Sequence, residues 1–353
     1  MTAFAITEAG GRAVAIDAPL PEPTGHEVLL AVTHSGVCHT DMHLRDGGYD
    51  LGRRGFLDMT TRGMTYPLVA GHEIVGEVVA VGADVTTVKP GDVRLVYPWL
   101  GCGDCTACHD DRENYCTNGR MLGVQRPGGF ASQVHVPHER YLLDVTGIDP
   151  ARAATLACSG LTSYSAVTKA LPADPSTAVA VIGAGGLGLM AVAALRALGH
   201  ETITVLDVNA DRLRTARDMG ATVTIDTTTA ITPDAIMQHT GGPVEAVLDF
   251  VNNSDTAELA FSILAKGGTQ VAVGLFGGEA RISTALLAMK CLTVQGSFVG
   301  TLAELHELIA LAQGGSLPEA PITRAELGAD ALNESLDALA AGTVRGRVVL
   351  TRR

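Results

Sequence analysis

Val179-Ala180-Val181-Ile182-Gly183-Ala184-Gly185-Gly186-Leu187-Gly188 is the stretch that decides the fold. Three of its first four residues are β-branched, and a short apolar run of this kind suits a strand buried on both faces. The glycine pattern after it opens onto Leu187–Leu198, which has helical composition. G-x-G-x-x-G by itself also occurs in ordinary turns, especially in a chain with 41 glycines. Between a strand and a helix it acquires a function. Gly183 makes the tight turn, and Gly185 lets backbone approach a pyrophosphate at the helix N-terminus. Gly188 lets the helix pack closely, and Gly186 and Leu187 complete the phosphate-facing turn.

Downstream, strands and helices alternate. Thr202–Leu206 reads as a strand, Ala210–Met219 as a helix and Ala221–Ile225 as a strand, with Ala246–Phe250 and Thr269–Val273 as later strands. That rhythm predicts a doubly wound parallel sheet of the α/β class. Asp207 ends the second strand, nineteen residues past Gly188, where a carboxylate can accept hydrogen bonds from ribose hydroxyls. No arginine adjoins it at Val208 or Asn209, and Arg212 lies five residues on, so NAD is favoured over NADP. The alternative is that Asp207 only caps the next helix.

Upstream the texture differs. Ala151–Ala170 is mostly Ala, Leu and small polar residues and reads as helical. Before it lie β-runs broken by Gly, Pro and Asp, including Glu27–Thr33 and Ile74–Val81, which suggest an all-β, barrel-like domain. Leu302–Gln313 and Ala331–Ala341 read as helices, and Arg347–Thr351 as a closing strand. A length of 353 residues is enough for two domains. With 46% hydrophobic but 4% aromatic residues, the core must be built from Ala, Val, Leu and Ile. A net charge of −13 argues against nucleic acid or an anionic membrane as partner. No apolar run of membrane-spanning length and no signal-peptide pattern at Met1–Phe4 are found, so a cytoplasmic location is the default expectation.

Seven cysteines are present, and four fall within fifteen residues as Cys102-x2-Cys105-x2-Cys108-x7-Cys116. Disulfides are not expected in a reducing compartment. Four thiolates at these spacings can close a tetrahedron around zinc, which leaves no open position and implies a structural ion. A second set is dispersed: Cys38 in C-H-T-D-M-H, His72 in G-H-E and Cys158 in L-A-C-S-G. Any one alone would usually be structural. Together they supply two thiolates and an imidazole, the ligand set of an open catalytic zinc that acts as a Lewis acid. Cys291 belongs to neither set and is expected in the core.

In this order C-H-T-D-M-H, G-H-E, the four-cysteine lobe, G-A-G-G-L-G and the terminal G-R-V-V-L resemble the zinc-containing alcohol dehydrogenases of the medium-chain dehydrogenase/reductase family, and look closest to its bacterial branch. The resemblance covers essentially the whole chain. It implies a GroES-like, β-barrel-type catalytic domain from residues 1–150 and 297–353, carrying the structural-zinc lobe at 101–117. A Rossmann NAD-binding domain would span 151–296. It further implies two zinc ions per chain, NAD, a small alcohol or carbonyl substrate, and a homo-oligomer, dimer or tetramer.

Residue roles come from the same resemblance. Cys38, His72 and Cys158 would ligate the catalytic zinc, with Glu73 beside it as a neighbouring carboxylate or transient ligand. Thr40 would hydrogen-bond the alcohol oxygen, and His43 would pass the proton through the cofactor ribose to solvent. Asp41 would orient the His72 ring. His39 and Arg347 would contact the pyrophosphate, and Thr162 would lie near the nicotinamide. His39 and Asp41 also admit a plainer reading as loop-capping or solvated residues.

The sequence departs from this pattern between His43 and Gly71, where the segment is longer than in bacterial relatives and carries Arg45, Arg53, Arg54 and Arg62 with Tyr49 and Phe56. It reads either as a solvated insertion or as a rim that reshapes the substrate entrance, with Tyr49 a pocket residue. Trp99 matches a family pocket aromatic, although the run from it to Cys102 is two residues shorter than usual. Alternative substrates are a polyol or a formaldehyde–thiol adduct, but polyol relatives often carry a carboxylate where Cys158 stands. A non-catalytic zinc- and nucleotide-binding role would predict a missing ligand, and none is missing.

Overall fold

A computed structural model describes residues 1–229 and 232–352. The strands of the N-terminal half are β1 (Thr2–Ile6), β2 (Ala13–Asp17), β3 (Val28–Val37), β4 (Gly48–Asp50), β5 (Phe56–Asp58), β6 (Glu73–Val81), β7 (Val93–Val96), β8 (Gln133–Val136) and β9 (Leu142–Asp144). Next come β10 (Val179–Ile182), β11 (Ile203–Asp207), β12 (Val223–Asp226), β13 (Val244–Asp249), β14 (Leu264–Ala272) and β15 (Thr293–Gly296). The chain closes with β16 (Ile322–Glu326) and β17 (Arg347–Thr351).

Two sheets carry the architecture. In the seven-stranded sheet the order is β16-β17-β3-β6-β7-β9, with β8 also on β3. Its central pair β3–β6 is antiparallel and broken by two register shifts, one between Val32 and His34. Such bulges bend a strand and redirect the chain beyond them. Here the chain leaving β3 turns at Cys38 into the helix His39–Arg45. The last strands, β16 and β17, return from the far end of the sequence to this first sheet.

The six-stranded sheet is parallel throughout, in the order β12-β11-β10-β13-β14-β15. Helices cover both its faces, which is why β10 and β11 are buried along their entire length. The strand order reverses between β10 and β13. A crevice opens there, outside the carboxyl ends of the strands, as doubly wound sheets require. One hydrophobic cluster runs from Val28 and Ile74 through Ala153 and Leu161 to Val181 and Val205, so the two sheets share a core.

Most elements lie within a few residues of their sequence-based limits, and Leu302–Gln313 and Arg347–Thr351 coincide with them. The stretch 151–170 is helical as expected, in three joined pieces: an α-helix Pro150–Thr155, a π-turn Leu156–Gly160 and an α-helix Leu161–Ala170. One expectation needs correction. Cys291 is not a core residue but exposed, in left-handed backbone (φ 51°) just after the helix Thr284–Met289. Among the described residues no helix is long and apolar enough to cross a membrane.

Candidate active site

Cys38, His72 and Cys158 converge from three separate elements. Cys38 caps the helix His39–Arg45, His72 immediately precedes β6, and Cys158 sits in the π-turn. The extra residue of a π-turn re-aims side chains and frees carbonyls from the helical ladder. The carbonyl of Ala157 accepts a hydrogen bond from Trp99 Nε1 at 2.9 Å, and Ser159 N donates to Glu73 Oε1 at 3.0 Å, which pins the turn on both sides. All three ligands are buried, with exposures of 4%, 0% and 4%.

The geometry fits a metal ion. Cys38 Sγ and Cys158 Sγ are 3.9 Å apart, and the three ligand atoms lie within 4.8 Å of one another. Sulfurs on a tetrahedral zinc with ordinary Zn–S bonds stand about 3.8 Å apart. His72 Nε2 is buried with no hydrogen-bond partner among the described residues, an orphan that an ion would satisfy. Asp41 organises two of the ligands with one carboxylate. Its Oδ2 accepts from Cys38 N at 2.8 Å, while Oδ1 accepts from Gly71 N at 3.1 Å and lies 3.2 Å from His72 Nδ1. The sulfur contact with Cys158 draws the Cys38 thiol well below its ordinary range, against its burial and with help from His72.

Glu73 lies behind this set rather than among the residues that line the cleft. Its Oε1 accepts from Arg347 Nη2 at 2.6 Å, and its Oε2 has no partner among the described residues. Burial raises its pKa, while Arg347 works the other way. The buried pair joins β6 to β17, and no local pattern announces it because its members stand so far apart in sequence.

Cys102, Cys105, Cys108 and Cys116 gather in a short loop, their sulfurs within 4.8 Å of one another. Cys105–Cys108 and Cys102–Cys108 are separated by 3.5 and 4.0 Å. Backbone N–H groups of Cys102 and Asn118 donate to Cys116 Sγ, as thiolates on a metal require. A third group, His26, His138 and Glu139, fits an ion poorly. Its two imidazoles stack with 7° between their planes, and His138 Nδ1 already accepts from Arg140 N.

One cleft of about 1070 Å³ connects the open ligand set to the crevice of the parallel sheet. Cys38, Cys158, His39, Thr40, His43, Tyr49, Trp99 and Thr162 line it, as do Gly183, Gly185, Gly186, Leu187, Gly188, Asp207 and Arg347. The glycines behave as their spacing demands. Gly183 has φ +92°, a Cβ on Gly188 would stand 1.7 Å from Gly183 O, and a Cβ on Gly185 would project into open space. Gly186 packs against Arg347, whose Cδ would be 2.5 Å from a Cβ there. Asp207 Oδ2 accepts from Ala184 N at 2.6 Å and its Oδ1 from Asn209 N at 2.8 Å, so the acid also shapes the turn. This open cradle fits a dinucleotide.

Thr40 and His43 stand three residues apart on one short helix, and so share a face. Burial lowers the pKa of both His39 and His43. Tyr49 places its ring 4.9 Å from that of His43, on the same side of the cleft as Thr40. The long segment before His72 holds a small hairpin, β4–β5, with one 3-10 turn (Gly52–Arg54) as its loop and another (Met59–Arg62) after it. It contributes Leu51, Arg54, Leu57, Met59 and Arg62 to the cleft wall. Facing them are Met121, Val124, Phe276 and Phe298, which no motif marks because apolar wall residues carry no spacing signal.

An open metal set facing a dinucleotide cleft is the arrangement of a zinc-dependent dehydrogenase. Two family models match the chain: the alcohol dehydrogenase GroES-like domain over residues 24–146 and the zinc-binding dehydrogenase over 186–314. An NAD-dependent alcohol dehydrogenase of Sulfurisphaera tokodaii is 35% identical over 99% of both chains. An alcohol dehydrogenase of Geobacillus stearothermophilus is 32% identical over 92% of this chain and 91% of its own. Among solved structures, the alcohol dehydrogenase of Aeropyrum pernix superposes with a TM-score of 0.89 at 30% identity, covering 99% of this chain and 100% of that one. The chain belongs to the zinc-containing alcohol dehydrogenases of the medium-chain dehydrogenase/reductase family.

Proposed function

We propose that the chain interconverts an alcohol and its aldehyde or ketone, with NAD as hydride partner. The observation that carries this reading is the open set Cys38–His72–Cys158, whose two sulfurs line the same cleft as Gly183–Gly188. When bound, zinc on these three residues supplies Lewis acidity toward the substrate oxygen, and NAD supplies the carbon that accepts hydride. The chain's own residues do the rest. Thr40 takes the hydroxyl proton into its hydrogen bond, and the neutral ring of His43 carries it toward solvent. Trp99, Tyr49 and Phe298 exclude water and orient the carbon skeleton. Asp207 favours NAD because a 2′-phosphate would meet its carboxylate.

We assign residues 1–150 and 297–353 to the catalytic domain and 151–296 to the NAD domain, since β16 and β17 rejoin the first sheet. A second zinc in the four-cysteine lobe is structural, as all four of its positions come from protein. A homo-oligomer through the open edge of β15 is supported by exposed Leu286, Met289 and Val294 beside that edge. The test is absorbance of NADH on mixing purified protein with NAD and primary, secondary and aromatic alcohols, alongside metal analysis. Turnover with two zinc ions per chain is expected. No turnover of any alcohol or aldehyde by the zinc-loaded protein overturns the reading.

A further inference from the structure

The substrate end of the cleft changes character from inside to outside. Deepest are the ligand set and buried Trp99. Val124, buried, and Leu57, Met59 and Met121, half-buried, give the cleft its apolar lining between these buried groups and the exposed surface. At the exposed rim stand two guanidinium groups, Arg54 and Arg62, both lining the same cleft. Among the described residues neither forms an ion pair or a side-chain hydrogen bond, although their neighbour Arg53 does.

The acids close at hand are all engaged elsewhere. Asp50 Oδ1 accepts from Gly52 N at 2.8 Å. Asp58 Oδ1 accepts from Thr60 N and Thr60 Oγ1 at 2.8 and 2.7 Å. Glu279 pairs with Arg53 at 2.9 Å, which ties the hairpin to the opposite wall of the cleft. Meanwhile the backbone of Arg62 is anchored: Gln125 Nε2 donates to its carbonyl at 3.3 Å, and Gln125 Oε1 accepts from Met121 N at 3.1 Å. Arg54 sits in the short turn Gly52–Arg54, held at its middle residue by Glu279. Both arginines thus have fixed roots and free heads. In a chain of net charge −13, acids to neutralise them were plentiful, yet the rim keeps them uncovered.

We propose that Arg54 and Arg62 form an anion site at the cleft mouth, and that the enzyme's substrates are alcohols or aldehydes bearing a carboxylate at the end remote from the reacting carbon. Guanidinium groups bind carboxylates through paired, charge-assisted hydrogen bonds, and an apolar linker of a few carbons would lie along the apolar lining between. The proposal rests on the alcohol dehydrogenase reading and adds the chemistry of the far end.

The experiment compares 6-hydroxyhexanoate with 1-hexanol on the zinc-loaded enzyme with NAD. The expected kcat/KM is about tenfold or more in favour of the acid at low salt, mainly through KM, and the preference shrinks as salt screens the rim. In R54A and R62A the acid-to-alcohol ratio falls by about tenfold, while R54K and R62K retain part of it. The double variant R54E/R62E shifts preference toward 6-amino-1-hexanol. Equal or poorer use of the acid by the parent enzyme, or an unchanged ratio in the variants, overturns the proposal. A second readout does not depend on turnover. Trp99 is the sole tryptophan, so its fluorescence reports cleft binding. Hexanoate is expected to bind more tightly than 1-hexanol and to lose that advantage in R54A. If neither alcohol is oxidised, the activity reading fails while this titration still decides the anion site.

Discussion

The four-cysteine lobe and the Cys38–His72–Cys158 set both rely on cysteine sulfur, the second adding an imidazole, and are built in opposite ways. The lobe draws its sulfurs from one loop, residues 102–116, and steadies them with backbone donors such as Cys102 N and Asn118 N. The Asp104 backbone N–H, first among several donors, holds the Cys102 thiol down to about 7. The active set draws its ligands from three elements far apart in sequence and backs them with side chains: Asp41 behind Cys38 and His72, and the Glu73–Arg347 pair behind Cys158. A loop that supplies all four thiols of a tetrahedron leaves no position open to a substrate. A set assembled by tertiary structure can hold a position open, and buried carboxylates and imidazoles can tune it.

Ligand removal should separate the two most strongly. Cys158→Ser is expected to lower kcat by at least about a thousandfold, since Lewis-acid stabilisation is worth several kcal/mol, with little change in melting temperature. Cys102→Ser should do the reverse: one zinc is lost and the melting temperature falls by several degrees, with kcat per folded molecule kept within a few-fold. Metal analysis with calorimetry and steady-state kinetics checks both arms. Equal losses of kcat would erase the distinction.

The next effect probes the proton path proposed for the open set. Burial holds the pKa of His43 below its ordinary 6.5, so the ring is neutral and ready to accept a proton at pH 7. Alcohol oxidation should therefore decline only as pH falls through that lowered pKa. His43→Gln should cost about a hundredfold in kcat/KM at pH 7 and abolish this acidic limb. A pH–rate profile of both proteins decides it, and an unchanged limb in the variant would remove His43 from the path.

Legibility in the sequence divides along the same line. The lobe is legible in full, because spacing alone brings its cysteines together. So is the glycine turn, where Gly183 and Gly188 are required by positive φ and close approach. The identity of the second set can be read from its residue types, but not how it is held. The π-turn at Leu156–Gly160 hides in an Ala- and Leu-rich run whose composition reads as plain helix. The Glu73–Arg347 pair spans most of the chain, and the wall residues Met121, Val124 and Phe298 have no signature beyond being apolar. Cys291 departs from expectation because cysteine is usually buried, whereas here a left-handed turn carries it to the surface.

A smaller change tests how far the active set depends on its carboxylate backing. Asp41→Asn keeps an acceptor for Cys38 N but withdraws the negative charge 3.2 Å from His72 Nδ1. Zinc affinity at the open set should fall by about 10- to 100-fold, with the lobe's zinc retained. Competition with a chelator, then counting the metal left, measures it. Loss of both ions at the same chelator concentration would show that the two sites are not independent.

The smallest expected effect comes from a place where the two regions touch. Asn114, in the lobe, donates to the backbone carbonyl of Phe298 at 3.2 Å, and Phe298 lines the cleft with its ring 6.0 Å from that of Trp99. A route from lobe to pocket therefore exists. Gly101→Ala perturbs the lobe without removing a ligand, because the new Cβ would stand 2.3 Å from Cys108 Sγ and 3.0 Å from Glu113 Cγ. Crowding of this kind costs about 1–3 kcal/mol of stability. If the lobe serves only to hold itself together, denaturation shows that loss while kcat and KM of the folded, zinc-loaded enzyme stay within about twofold. If KM for an aromatic alcohol rises instead, the displacement has passed through Asn114 to Phe298, and the lobe is part of the substrate wall.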